Sequence, residues 1–366
     1  MPPRFFEVED LRIAVEDHRA PASVHGEHLL DGWVEVIPGV SYGVAEGQTL
    51  AIIGESSSGK SLMVLGAFGL LQAGTRVLGG TTTYRDLRFE PGGSVDEPDR
   101  ALRRKDRKKL RRSGTVAADT TPAWARAVGT EIGFLFQDPI AAWTPILEIG
   151  PQAGETLAAH TELSDDEIRE RVLDALGEVQ LPKSNRMVQA FSSQLSRGMG
   201  QRAMLAAALV KAPSLLIADE PLSGLDVSVS AAILELIKDL NERRGMAMII
   251  VTHDLAVVAR VADRVAVVYG GRIVEEGPVD ETFHRPRHPY TSGLLGSIPA
   301  LTNGRLRPIP GEQPPLTEIA GNRCAFALRC AYADEVCRTA VPPTRETPVG
   351  GVACHHASEL SLPGIG

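Results

Sequence analysis

The chain has 366 residues, 43% of them hydrophobic, with 38 Lys and Arg set against 46 Asp and Glu for a net charge of −8. That length and apolar content support a substantial core and two or more subdomains, and the acidic balance excludes a general nucleic-acid-binding role. The opening Met1-Pro2-Pro3-Arg4-Phe5-Phe6-Glu7 lacks the apolar core of a secretory signal, and no uninterrupted apolar run could cross a bilayer, so the chain is expected in the cytosol.

Residues 5–52 hold alternating apolar stretches that read as strands, among them Val34–Ile37 and Val40–Val44. Trp33, shortly before them, could stack on a nucleotide base for about 1–3 kcal/mol, or pack against its own sheet; sequence alone leaves both readings open. Thr49–Ile53 then reads as a short buried strand, and Ser61–Leu71 as a helix. Between them stands Gly54-Glu55-Ser56-Ser57-Ser58-Gly59-Lys60-Ser61, the G-x-x-x-x-G-K-S phosphate-binding loop of nucleoside triphosphatases. A strand that breaks at glycine and feeds a helix N-terminus aims several backbone N–H groups at one point, where the helix dipole is positive. Lys60 then reaches the β- and γ-phosphates and the Ser61 hydroxyl binds Mg²⁺. Ser57 sits where many such loops carry another glycine.

Residues 86–130 are the least regular part of the N-terminal half. The run from Arg103 to Arg112 is densely basic, fitting either a solvated face or a contact with anionic lipid headgroups. Order returns at Glu131–Pro139, an apolar strand ending at Gln137, and 145–210 reads mostly helical. Within it, Ser164 and Glu167 form a capping pattern for a helix that continues through Gly177. Gln194–Arg202 opens the apolar helix Ala203–Val210 and makes a second anion site, with Ser196 and Gly198 at its mouth. Ser214–Glu220 reads as a buried parallel strand ending in two carboxylates. Asp219 suits Mg²⁺ binding, and Glu220 can orient or deprotonate water. Leu222–Asp226 is a tight turn. The strand Met248–Thr252 ends at His253, placed to hydrogen-bond a γ-phosphate.

These segments in this order resemble the nucleotide-binding subunit of an ATP-binding-cassette (ABC) transporter, from about residue 30 to the C-terminus. The phosphate loop, the Q-loop Gln137, the signature Leu195-Ser196-Arg197-Gly198-Met199, Asp219 and Glu220, the D-loop Ser223-Gly224-Leu225-Asp226 and the switch His253 carry the resemblance. It implies an α/β P-loop fold: a RecA-like core with an antiparallel β subdomain and a helical subdomain. It also implies head-to-tail pairing, in which Ser196, Gly198 and Asp226 contact ATP bound mainly to a partner. Arg197 stands where that family commonly has glycine, and Gly200 where arginine is usual. His288-Pro289-Tyr290-Thr291, Ser297-Ile298-Pro299 and Pro308-Ile309-Pro310-Gly311 look like the extension of oligopeptide, dipeptide and nickel importer ATPases, and Met199 is similar to their D-type subunit. The resemblance therefore implies a paralogous F-type ATPase partner, two permease subunits, an extracellular solute-binding protein and a place on the cytoplasmic face of the membrane. Expected boundaries are 1–285 for the nucleotide-binding domain and 286–366 for the extension. The helical subdomain is expected at about 140–205 and a basic insertion at about 90–128.

All four cysteines, Cys324, Cys330, Cys337 and Cys354, fall in that extension. A reducing cytosol disfavours disulfides, so gathered thiols suggest a metal or cluster site. A four-thiolate [4Fe–4S] cluster fits the ligand number, as relatives in the peptide-importer group imply. Zinc, with His355 or His356 as further ligands, and free thiols are the alternatives. The function expected is ATP hydrolysis that energises import of di- or oligopeptides, with Lys60, Gln137, Glu220 and His253 catalytic and Ser61, Gln137 and Asp219 on Mg²⁺. Nickel or another small solute is the alternative cargo, and a soluble ABC ATPase of DNA repair or the ribosome is the alternative class. Gly59-Lys60 is the only Gly-Lys pair, and no sustained heptads occur, so the sequence favours the transport subunit.

Overall fold

The computed structural model describes residues 5–17, 32–91, 122–298, 306–319, 321–347 and 350–365. The basic run at 103–112, most of the 90–128 segment and Pro299 lie outside the described residues. Two compact units form. One holds the described residues of 44–49 and 122–252, the other those of 5–43, 50–91 and 253–365.

In the second unit β1 (Phe6–Glu16) pairs antiparallel with β4 (Thr75–Tyr84), and β4 with β5 (Leu87–Phe89); β2 (Trp33–Val44) flanks β1. The two short strands expected around Pro38-Gly39 are thus one continuous strand. Gly39 carries the chain through at φ +90, and a side chain there would meet Asp10 Oδ1 at 2.5 Å. A second sheet in this unit runs β11-β12-β10-β9-β3. Its parallel pair is β3 (Thr49–Ile53) with β9 (Arg264–Tyr269), and Ile52 lies opposite Ala266. The remaining pairs are antiparallel: β9 with β10 (Arg272–Pro278), then β12 (Gly350–Val352) and β11 (Arg345–Thr347). Every residue of β3 is buried, which explains its uninterrupted apolar run. The helix after it spans Lys60–Ala67 and stops short of the expected Leu71. Gly69, at φ +69, lets the Leu70 N–H turn back to the Leu65 carbonyl at 2.9 Å and closes the last turn. Tyr42 donates to the Met63 carbonyl and Thr82 to that of Ala67, both buried, fixing the helix over the β1–β4 sheet.

The first unit holds β6 (Ile132–Leu135), β7 (Leu215–Asp219) and β8 (Ala247–Thr252), parallel and in that order. Helices Pro122–Glu131, Ile149–His160, Asp165–Glu178, Arg197–Leu209 and Val227–Arg244 complete it, with a short turn at Asn185–Val188. Within the 86–130 segment, read from the sequence as irregular, Pro122–Glu131 is helical. The Ser164–Glu167 capping box forms in both directions: Glu167 N–H reaches Ser164 Oγ at 3.4 Å, and Ser164 N–H reaches Glu167 Oε2 at 2.7 Å. That helix runs one residue past the expected Gly177.

Candidate functional site

In the second unit β3 delivers the chain to Gly54, where a side chain would put its first carbon 2.2 Å from the Val268 carbonyl oxygen, so only glycine fits. Gly59, at φ +99, is the N-cap of helix Lys60–Ala67. Lys60 is 5% exposed, and its Nζ donates to the carbonyls of Gly54 at 3.0 Å and Glu55 at 2.8 Å. The ammonium therefore sits over the mouth of the loop. Ser58 Oγ is fully buried without a hydrogen-bond partner, while the Ser58 carbonyl accepts from Gly271 N–H at 3.0 Å. A buried cation beside an unsatisfied hydroxyl at a helix N-terminus suits an anion with several acceptor oxygens. Ser56 and Ser57 are exposed, and Ser57 adopts φ +63. Ser61 follows Lys60 in the first helical turn.

One residue of this loop, Glu55, is held by two groups that the sequence motifs do not announce. Glu55 N–H donates to Tyr290 Oη at 2.8 Å, and its carboxylate takes both terminal nitrogens of Arg329. Burial pushes the Tyr290 hydroxyl pKa up, so it stays a neutral acceptor. His253, exposed, belongs to the same unit, immediately before Asp254, whose Oδ1 caps helix Leu255–Val261 through Ala256 N–H at 2.9 Å. The Arg76 guanidinium lies 5.6 Å from the centre of the Trp33 ring, so a cation already rests on one face of that indole.

The first unit carries the remaining motif residues. Gln137 is exposed just beyond β6, and the adjoining Asp138 accepts from Ile140 and Ala141 N–H, which holds its carboxyl below the usual range. Asp219 ends β7 and is 7% exposed. Glu220 follows at φ +45, with its N–H on the Val251 carbonyl at 2.8 Å. A glutamate in left-handed backbone costs roughly 1–3 kcal/mol, a strain that marks functional positions. Ser196 caps helix Arg197–Leu209 through Met199 N–H at 3.3 Å, and Gly198 leaves room for Val229, whose Cγ1 would lie 2.9 Å from any Cβ there. Arg197 Nη1 donates to the Gly224 carbonyl at 3.2 Å, tying signature to D-loop within one subunit. Asp226 caps helix Val227–Arg244, accepting from Val229 N–H at 3.0 Å and from Ser228 Oγ, and these bonds lower its pKa. Gln137 and Asp219 offer amide and carboxylate oxygens, and in the second unit Ser61 offers a hydroxyl; each is a hard oxygen donor of the kind Mg²⁺ takes.

In the tail Cys324 N–H bonds the Cys337 carbonyl at 3.0 Å, and Cys354 follows β12. Burial pushes the Cys324 thiol up to about 11, and the charges of Cys337, Cys330 and Cys354 add to the rise. Cys330 is likewise pushed up to about 11, chiefly by burial, with Cys354 and Cys337 adding. The four thiols thus lie within electrostatic reach of one another. Ligand atoms of Asp334, Cys337 and His356 also converge within 4.8 Å, and the sequence gives no sign of Asp334 as a member.

The buried strand that opens a phosphate loop, the strand that ends in Asp219 and Glu220 and the serine-capped signature helix define a P-loop ATPase of the ABC type. Residues 37–223 match the ABC transporter family, and residues 274–337 match the oligopeptide/dipeptide transporter C-terminal region. The chain is 38% identical over 343 residues to the oligopeptide transport ATP-binding protein OppD of Bacillus subtilis, a match covering 93% of this chain and 85% of that one. It is 38% identical over 314 residues to the dipeptide transport ATP-binding protein DppD of the same organism, covering 85% of each. The fold is also that of the ATP-binding cassette MJ0796 in its dimeric post-hydrolysis state bound to ADP and Pi. That match has a TM-score of 0.56 at 23% identity over 75% of this chain and 98% of the other. The chain belongs to the ATP-binding proteins of ABC transporters, in the branch that carries the oligopeptide/dipeptide C-terminal region.

Proposed function

We propose that this ABC ATPase energises the uptake of di- and oligopeptides through a pair of membrane permease subunits fed by a solute-binding protein. The oligopeptide/dipeptide C-terminal region at 274–337 and the names of the relatives support peptide as cargo. No described helix is long and apolar enough to cross a membrane, so the permeases supply the path, and the ATPase acts from their cytoplasmic face. Its pairing mate is a paralogous F-type subunit. The domain boundary falls at about residue 285, between the nucleotide-binding domain and the extension.

The observation that carries the hydrolytic reading is the buried Lys60 ammonium above the opening of helix Lys60–Ala67. Lys60 and the loop N–H groups bind the β- and γ-phosphates of ATP. Ser61, Gln137 and Asp219 would hold Mg²⁺, which would supply positive charge to the phosphates. Glu220 orients and deprotonates the attacking water, His253 holds the γ-phosphate, and Trp33 stacks on the base. Ser196, Gly198 and Asp226 complete the partner's site on closure, so turnover waits for assembly. Glu220→Gln is expected to bind ATP normally and lose most turnover, and Lys60→Ala to lose nucleotide binding. ATP titration and phosphate release from the assembled complex measure both, and a fully active Glu220→Gln protein would overturn the base assignment. Uptake of a labelled dipeptide by reconstituted complex, competed by peptide and not by Ni²⁺, tests the cargo.

In the extension the four cysteines hold a [4Fe–4S] cluster. Their number, four, is what favours a four-thiolate cluster. A mixed zinc site of Asp334, Cys337 and His356 is the competing arrangement, and iron and acid-labile sulfide analysis separates the two.

A further inference from the structure

Glu55 of the phosphate loop is tethered by a residue 274 positions away. The five N–H donors of Arg329 are all engaged. Nε bonds the Pro310 carbonyl at 2.9 Å, Nη1 bonds Glu55 Oε2 at 2.6 Å and Tyr269 Oη at 3.5 Å, and Nη2 bonds Glu55 Oε1 at 3.0 Å and the Gly311 carbonyl at 2.9 Å. The guanidinium also lies 5.8 Å from the Tyr269 ring centre. Its side chain is 5% exposed against 29% for Glu55, and the pair is bidentate. The Glu55 backbone is fixed at both ends as well: its N–H by Tyr290 Oη at 2.8 Å, its carbonyl by Lys60 Nζ at 2.8 Å and Ser58 N–H at 3.3 Å. Movement of the Arg329 clamp therefore moves the carbonyl on which the Lys60 ammonium rests. Tyr269, Tyr290 and Phe326 pack around the clamp with ring centres 4.6–5.3 Å apart, which keeps water from competing for it.

We infer that Arg329 is a positioning residue for ATP, holding the phosphate loop in its receptive form through Glu55 and so through Lys60. A mere anchor for the tail would need the carboxylate of Glu55 alone, on any surface. Here the Glu55 carbonyl also accepts from the lysine that the inference concerns, Tyr290 holds the Glu55 N–H, and the Pro310 and Gly311 carbonyls hold Arg329. The inference rests on the assignment of the loop to ATP made above. Loss of the clamp leaves every phosphate-binding group in place but unlocks the loop, so the cost falls on affinity.

The test uses the full chain, with trinitrophenyl-ATP as the binding probe and ATP hydrolysis measured in the assembled complex. Arg329→Met is expected to raise Kd and KM for ATP about tenfold with kcat within about twofold. Arg329→Lys, which keeps the charge and loses the fork, is expected to fall between it and the native chain. Glu55→Gln should show the same KM effect, and the double variant no more than either single one, since both break one link. Should Arg329→Met fail to fold, Glu55→Gln, at a half-buried position, gives the same readout. Unchanged Kd in Glu55→Gln and Arg329→Lys, or effects that multiply in the double variant, would overturn the inference. Lys60→Ala separates the two levels: if it leaves Kd unaltered the loop assignment itself fails, and if it abolishes binding while the clamp variants bind normally only the inference fails.

Discussion

Two non-glycine residues at the proposed catalytic machinery occupy left-handed backbone, Ser57 at φ +63 and Glu220 at φ +45, and they differ in what their side chains do. As the proposed base, Glu220 needs its carboxylate, so substitution to relieve its strain is expected to cost turnover. Ser57 is exposed, and no catalytic role is assigned to its side chain. Left-handed backbone costs an L-residue roughly 1–2 kcal/mol, against about 0.5–1 kcal/mol for the extra freedom glycine loses on folding. Ser57→Gly is therefore expected to stabilise the protein by about 0.5–1 kcal/mol, read as a higher urea midpoint, with ATP affinity unchanged or improved. This also explains why phosphate loops often place glycine at that position, which the sequence marks only as a departure. Arg197, a second departure, finds its use in the bond to the Gly224 carbonyl.

At the scale of elements, the helix Pro289–Gly296 shows how a short tail motif becomes structure. His288 is its N-cap, fully buried, with Nδ1 accepting from Tyr290 N–H at 3.1 Å; Pro289 takes the first helical position, where no N–H is needed, and Tyr290 turns its hydroxyl to Glu55. Accepting at Nδ1 requires the neutral ring, and burial lowers the His288 pKa to about 3 from an ordinary 6.5. Between those values the unfolded chain binds the proton and the folded one does not. The stabilisation is complete above about pH 6.5 and is lost as pH falls toward about 3. At pH 5 the loss from this group amounts to about 2 kcal/mol. His288→Asn keeps a capping oxygen and removes the titration, so its urea midpoint should fall less than the native one between pH 7.5 and pH 5. Glu275, which accepts the His288 N–H at 3.0 Å, has its pKa raised by burial, but it is common to both proteins and cancels in the comparison.

Across the whole molecule, what the sequence makes legible is what is local. The phosphate loop, the capping box at Ser164 and the buried strands before Asp219 and His253 are each written in fewer than a dozen residues, and the structure forms them there. The clamp of Arg329 on Glu55 and the approach of Asp334 to Cys337 and His356 join residues far apart or of unremarkable type, so no spacing rule reveals them. The same distance gives the tail a consequence for the loop. Arg329 stands beside Cys330, and both their N–H groups bond the Phe326 carbonyl at 3.0 Å, so the cysteine segment and the clamp share one turn of backbone. Ala325, Phe326 and Ala327 of that turn are buried, and metal-binding free energy would add to what holds the segment. Anaerobically purified protein is therefore expected to carry iron and acid-labile sulfide in equal amounts, about four of each per chain for a four-thiolate cluster. Removal of the iron by a chelator should raise the Kd for trinitrophenyl-ATP in the native chain and leave it unchanged in Arg329→Met, where the link is already cut. Iron without sulfide, zinc in its place, or an equal loss of affinity in both proteins would break the chain of contacts from cysteine to phosphate loop.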